Sequence, residues 1–155
     1  ARRPGPHAIS RLIEASGARY AATRRQSLAD IAAGLPPVEL MFEATGVANL
    51  AFDAMEILGA NGVLVLLSLT GGGETKELPI ARLNRSFVLG NKVMVGSVNS
   101  SREHFELAVA DLGRFDTLWP GLAARLITHR IHGFDDPAQI AAATEGGIKT
   151  VIEVG

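Results

Sequence analysis

A chain of 155 residues with 47% apolar side chains is long enough for one α/β domain with a real core, or a little more. Its 15 basic and 16 acidic side chains leave a net charge of -1, so no bulk attraction to nucleic acid or to an anionic membrane is expected. The absence of cysteine excludes disulfides, thiol nucleophiles and cysteine-ligated metal within these residues, and it accords with a cytoplasmic location.

The chain opens on ARRPGP, which carries no initiating Met and no apolar signal-peptide core. It reads as the loop after a strand, so a segment of something longer is expected. Pro4, Gly5 and Pro6 open a helix with Ile9, Leu12 and Ile13 on one stripe and Gly17 as its C-terminal cap. A short strand is expected around residues 19–22. Ser27 with Asp30 caps a helix through Leu28, Ile31 and Ala32, which Gly34 and the pair Pro36 and Pro37 stop.

Residues 39–73 form the scaffold: strand, helix, strand. Val47, Leu50, Ala51, Ala54, Met55 and Leu58 recur at helical spacing, and residues 63–69 are almost continuously apolar, as in a strand covered on both faces. Two parallel strands joined by a helix result, and ligands of such sheets bind outside the carboxyl ends of the strands. Those ends are Ala44, Thr45 and Gly46, and Ser68, Leu69 and Thr70. A polar loop is expected over 74–79, a short helix over 81–87 and a third strand over 91–98.

Ser100 with Glu103 reads as a capping box for a helix carrying Phe105, Ala108, Val109 and Leu112, closed by Gly113. Pro120 introduces a second helix with Leu122, Leu126 and Ile127, followed by an extended stretch over 128–134. Asp136 and Pro137 with Gln139 cap an alanine-rich helix ended by Gly146 and Gly147, and KTVIEV closes the chain as a strand.

The candidate site residues cluster at the strand ends. Arg2 and Arg3 stand where a doubly wound sheet presents its second strand end, and forked arginine donors there suit the extra phosphate of NADP, against a solvated terminal charge pair. Thr45 and Gly46 allow close approach of a ligand to the backbone, against a tight turn with Thr45 as helix N-cap. Asn99 offers a donor and an acceptor at the end of the third strand, or a turn cap. Gly71, Gly72 and Gly73 lack the Lys-Ser/Thr of a phosphate loop. His7, His104, His129 and His132 have no metal-ligand spacing, and no catalytic constellation emerges, so no catalytic residue and no metal site is assigned.

Taken together, RRPGPHAISRLIEASGARY, FEATGVANLAFDAMEILGANGVLVLLSLTGGG and LNRSFVLGNKVMVGSVNSSREHFELAVADL resemble the C-terminal half of microbial glucose 1-dehydrogenases of the zinc-dependent medium-chain dehydrogenase family. The likeness covers nearly the whole chain, and GNKVMVGSVNSSREHF is its most specific part. The resemblance implies a Rossmann-type α/β parallel sheet lacking its first strand and Gly-rich turn, over residues 1–113. Residues 114–155 would return into the catalytic domain.

Under this resemblance Arg2 and Arg3 contact the adenosine phosphate, with Ala1 replacing a family Asn. Leu67, Ser68 and Leu69 line the cofactor. Ser97, Val98 and Asn99 match the nicotinamide side, and Asn99 also reaches a sugar hydroxyl. The implied cofactors are NADP, or NAD, and a zinc ion whose ligands lie outside this sequence. The implied reaction takes a hydride from C1 of glucose or a related aldose to give the aldonolactone. A small sugar is the expected partner, with no nucleic acid or membrane, in a homo-oligomer, and the segment alone is expected to be inactive. The rival expectations are a zinc-free quinone or enone reductase of the same superfamily, and a non-catalytic nucleotide-binding or interaction module.

Overall fold

The structure, a computed structural model, describes residues 3–143 and 147–154. In chain order its elements are α1 (Ala8–Ala15), α2 (Leu28–Ala33), β1 (Val38–Glu43), α3 (Ala48–Ile57), β2 (Leu58–Leu66), α4 (Ile80–Leu89) and β3 (Val93–Gly96). There follow α5 (Arg102–Leu118), a 3-10 turn (Ala124–Leu126), β4 (Ile127–His132), α6 (Pro137–Ala143) and β5 (Lys149–Glu153). The described residues group into two compact units: residues 3–4 with Ala21–Asn99, and Gly5–Tyr20 with 100–143 and 147–154.

The first unit is the expected parallel α/β sheet, with strand order β1-β2-β3. Leu40 pairs with Val63 and Glu43 with Leu66, while Val63 pairs with Val93 and Leu66 with Gly96. Because side chains alternate along a strand, this register gathers Met41, Glu43, Leu64, Leu66 and Met94 on one face. That face meets α3 and α2 in a core of Ala54, Leu58 and Leu64, with Leu28, Val38, Met41, Met55 and Leu66 against it. Leu64 is 0% exposed, and burying a leucine in this way contributes roughly 1.5–3 kcal/mol. On the opposite face Leu40, Phe42, Val93 and Val95 remain exposed, so the expected two-sided covering of the sheet is not seen among the described residues.

β2 both starts and ends earlier than its apolar run suggests. It leaves α3 without a loop, through Asn61 at φ +58° and Gly62, where an added Cβ would lie 2.7 Å from the Leu58 side chain. At its other end it stops at Leu66, because the chain then turns Ser68 toward Glu43. α2 carries the expected capping box: Ser27 Oγ accepts from the Asp30 amide (3.1 Å), and the Ser27 amide donates to Asp30 Oδ2 (3.3 Å).

The second unit contains the larger departures. α1 ends as expected, with Gly17 at φ +85°, but its start is capped by His7, whose Nδ1 accepts from the Ser10 amide at 3.2 Å. Residues 19–22 are not a strand; Tyr20 instead places its hydroxyl 3.0 Å from His7 Nε2, with the two rings edge to face. The capping box of α5 is Ser101 with His104, not Ser100 with Glu103. The Ser101 amide donates to His104 Nδ1 at 3.0 Å, so an imidazole nitrogen fills the acceptor role of the usual carboxylate.

α5 also continues through Gly113 to Leu118, where Trp119 and Pro120 end it. One glycine inside a 17-residue helix costs only about 1 kcal/mol relative to alanine. Its apolar stripe is exposed among the described residues, Phe105 at 66%. The second helix after Pro120 does not form; Gly121 at φ +72° turns the chain, and only the 3-10 turn follows. β4 and β5 pair in parallel about the buried Ile131. Asp136 Oδ1 accepts from the amides of Ala138 and Gln139 (both 3.0 Å) to cap α6, as its sequence predicts. The expected stop at Gly146 lies outside the described residues.

Candidate functional site

The carboxyl ends of β1 and β2 meet around a buried acid. Glu43, the last residue of β1, is 6% exposed. Its Oε1 accepts from the Thr45 amide (2.7 Å) and the Thr45 hydroxyl (2.5 Å), and its Oε2 accepts from the Ser68 hydroxyl (2.6 Å). The Ser68 oxygen in turn accepts from the Gly46 amide at 2.8 Å. Burial pushes the Glu43 pKa up, but the hydrogen bonds from Ser68, Thr45 and the main chain outweigh it and hold the acid below the usual carboxylate range. The group is therefore a charged acceptor with its donors in place.

This network decides what the strand-end turn can do. Thr45 is not the N-cap of α3; Val47 is, and Thr45 Oγ1 accepts from the Val47 amide at 3.2 Å. Gly46 stands at φ +69°, and a Cβ there would lie 3.1 Å from the Leu69 carbonyl oxygen. Only glycine fits that backbone comfortably. The amides of Thr45 and Gly46 are both engaged within the turn, so what this corner presents outward is shape rather than free donors.

Next to this corner, the ends of β2 and β3 enclose an open cleft of about 380 Å³, lined by residues 66–69 and 96–98. It brings Leu67, Ser68, Leu69, Ser97 and Val98 together as the sequence suggests. Leu69 is 90% exposed at its rim. Asn99 adjoins Val98 but is not in the lining, and Thr45 touches the cleft wall only through Glu43 and Ser68. Arg3 is exposed and belongs to the same unit without lining the cleft; Arg2 lies outside the described residues. Glu43 is not among the residues expected from the sequence, although an acid closing an apolar strand two residues before Thr45 and Gly46 is a detectable sign.

The walls of the cleft are mainly leucine and valine side chains at the carboxyl ends of parallel strands, with Ser68 and Ser97 as its polar side chains and no charged residue in its lining; Glu43 stands behind Ser68. A metal is a different matter. Among the described residues no three of His, Cys, Asp and Glu come together to hold an ion, so no zinc chemistry is derived from them. The histidines serve elsewhere: His7 and His104 cap helices, His129 lies beside Thr128, and His132 faces Glu153 at 3.2 Å. No helix among the described residues is long and apolar enough to cross a membrane.

Comparison with known proteins places this geometry in context. The chain is 41% identical over 155 residues to the glucose 1-dehydrogenase of Halobacterium salinarum, and 35% identical over 155 residues to that of Thermoproteus tenax. These alignments cover 98% and 99% of this chain but 42% of each relative. The glucose dehydrogenase of Haloferax mediterranei, solved with NADP, zinc and gluconolactone, superposes with a TM-score of 0.85 at 30% identity. That match covers 100% of this chain and 42% of the Haloferax chain. Residues 1–154 match the family described as glucose dehydrogenase C-terminus, and the chain belongs to that family.

Proposed function

We propose that this chain is the C-terminal portion of a longer glucose 1-dehydrogenase, which oxidises C1 of glucose or a related aldose to the aldonolactone with NADP or NAD. The observation that carries this reading is the cleft at the ends of β2 and β3, in a chain alike along its whole length to the Haloferax enzyme that holds NADP, zinc and gluconolactone. When bound, the nicotinamide supplies an acceptor for the hydride leaving the sugar. Leu67, Ser68 and Leu69 form one wall for the cofactor and Ser97 and Val98 the other; Asn99, beside that wall, contacts the nicotinamide side and extends to a sugar hydroxyl. Thr45 supports the first wall, and Arg2 and Arg3 receive the adenosine phosphate. The zinc, with ligands outside this sequence, belongs to the rest of the enzyme.

In this reading residues 1–113 are the second part of the nucleotide-binding domain and 114–155 the return into the catalytic domain of a cytoplasmic homo-oligomer. α5 would then run across that junction without interruption. The test is turnover by the intact protein: glucose-dependent formation of NADPH that is lost when zinc is chelated. Reduction of quinones by NADPH that survives chelation, with no oxidation of glucose, overturns the proposal in favour of a zinc-free reductase. Replacing Arg2 and Arg3 with alanine is expected to raise KM for NADP at least about tenfold while leaving that for NAD unchanged, since each lost charge-assisted hydrogen bond is worth about 1.5–3 kcal/mol.

A further inference from the structure

Main-chain pairing ends early at the wall of the cleft. The Leu67 amide donates to the Glu43 carbonyl at 2.8 Å, and the Ser97 amide to the Leu66 carbonyl at 3.0 Å. Beyond these rungs the path of residues 68–69 is set by side chains. Ser68 gives its single hydroxyl hydrogen to Glu43 Oε2 and uses a lone pair for the Gly46 amide. Glu43 Oε1 meanwhile holds Thr45 by both its amide and its hydroxyl.

We infer that Glu43 is a positioning residue for the cofactor: its carboxylate ties the exit of β2 to the Thr45-Gly46 turn, and the wall formed by Leu67, Ser68 and Leu69 keeps its shape through that tie. The inference rests on the reading of this cleft as the dinucleotide site. Directionality makes the acid specific. Ser68 donates to one carboxylate oxygen while Thr45 donates twice to the other, so both oxygens must accept. Glutamine in this place offers an acceptor to Thr45 but presents an NH₂ to a hydroxyl that already takes the Gly46 hydrogen. The hydroxyl must then turn, and the wall loses its anchor. Without that anchor, the cofactor on binding has to order a segment that Glu43 holds ready-made.

The experiment is a fluorescence titration of the intact protein with NADPH in the absence of sugar, for the wild type and for Glu43→Gln, Ser68→Ala, the double variant and Ser68→Thr. Each of the first two is expected to weaken NADPH about tenfold, the scale of a lost hydrogen bond to a charged group. The double variant should be little weaker than either single one, because both remove the same tie. Ser68→Thr, which keeps the hydroxyl, should lose less affinity than Ser68→Ala. In turnover the KM for NADP should rise while kcat stays within about twofold, the signature of lost ground-state binding.

If Glu43→Gln does not fold, Glu43→Asp, which keeps the charge but shortens the reach to Ser68 and Thr45, takes its place beside Ser68→Ala and is expected to weaken NADPH likewise. Unchanged NADPH affinity in the variants, or losses that add in the double variant, overturn the role of Glu43 and leave the cleft assignment standing. A wild type that binds neither NADPH nor NADH overturns the functional reading and this inference with it.

Discussion

The carboxyl ends of β2 and β3 lie side by side on one sheet and finish in opposite ways. At the end of β2, Ser68 turns inward to a buried carboxylate and every polar group of the Thr45-Gly46 corner that meets it is engaged. At the end of β3, Ser97, Val98 and Asn99 are all exposed, and the side chains of Ser97 and Asn99 make no hydrogen bond among the described residues. A polar residue at a strand end can spend its hydrogen bonds on the fold or keep them for a ligand. The first end holds shape; the second keeps its bonding capacity open.

If that division is right, substitutions at the two ends should separate stability from recognition. The largest loss of stability is expected for Glu43→Leu, which keeps the bulk but strips the acceptor from three donors. With half-buried Ser68 among them, the cost is about 3 kcal/mol, read as a shift in the urea midpoint of the intact protein. A loss below 1 kcal/mol would remove Glu43 as the anchor of this corner. Gly46→Ala comes next, at about 1–2 kcal/mol, since alanine must adopt φ +69° and meet the Leu69 carbonyl oxygen at 3.1 Å. The same substitution should loosen NADPH, because relief of that contact moves the wall.

A smaller effect concerns pH. Net of burial, which raises it, the hydrogen bonds of Glu43 place its folded pKa below the ordinary 4.5. The unfolded chain then binds the proton more readily than the folded one. The contribution is fully present above the ordinary value and is lost as pH falls through the folded pKa. Urea unfolding of the wild type and of Glu43→Gln over an acid series should show the difference between them shrinking below pH 4.5. A difference that grows in that window would mean that Glu43 is protonated in the fold.

Much of this arrangement is legible in the sequence, and what is not has identifiable causes. The strand, helix and strand over 39–73 follow from apolar periodicity alone; of the cleft residues, Ser68 and Leu69 follow from where parallel strands end, and Leu67, Ser97 and Val98 from the family resemblance. Boundaries set by individual hydrogen bonds do not. Two serines in tandem leave the cap of α5 open to either, and only the imidazole of His104 selects Ser101. Gly113 has the composition of a stop signal, yet it sits at an ordinary helical position because Trp119 and Pro120 supply the real end. Leu122, Leu126 and Ile127 keep a helical spacing that Gly121, in the left-handed region, prevents from being used. Glu43 is only half legible for a related reason: its place at the strand end can be read locally, but its role depends on Ser68, 25 residues away in the chain.

Asn99 supplies the opposite case to Glu43, with the smallest expected change in stability. Its side chain is exposed and without a hydrogen bond among the described residues, so Asn99→Ala should move the urea midpoint by no more than about 0.5 kcal/mol. If the end of β3 reads the sugar, the same substitution raises KM for glucose about tenfold, as for the loss of one well-made hydrogen bond in a closed site. NADPH affinity measured without sugar should fall much less than the affinity for glucose. The two ends then give mirrored signatures, stability and cofactor affinity lost together at Glu43, sugar affinity lost foremost and stability kept at Asn99. A destabilisation at Asn99 comparable with that of Glu43→Leu would mean that both strand ends serve the fold, and a KM for glucose that does not move would take Asn99 out of the substrate site.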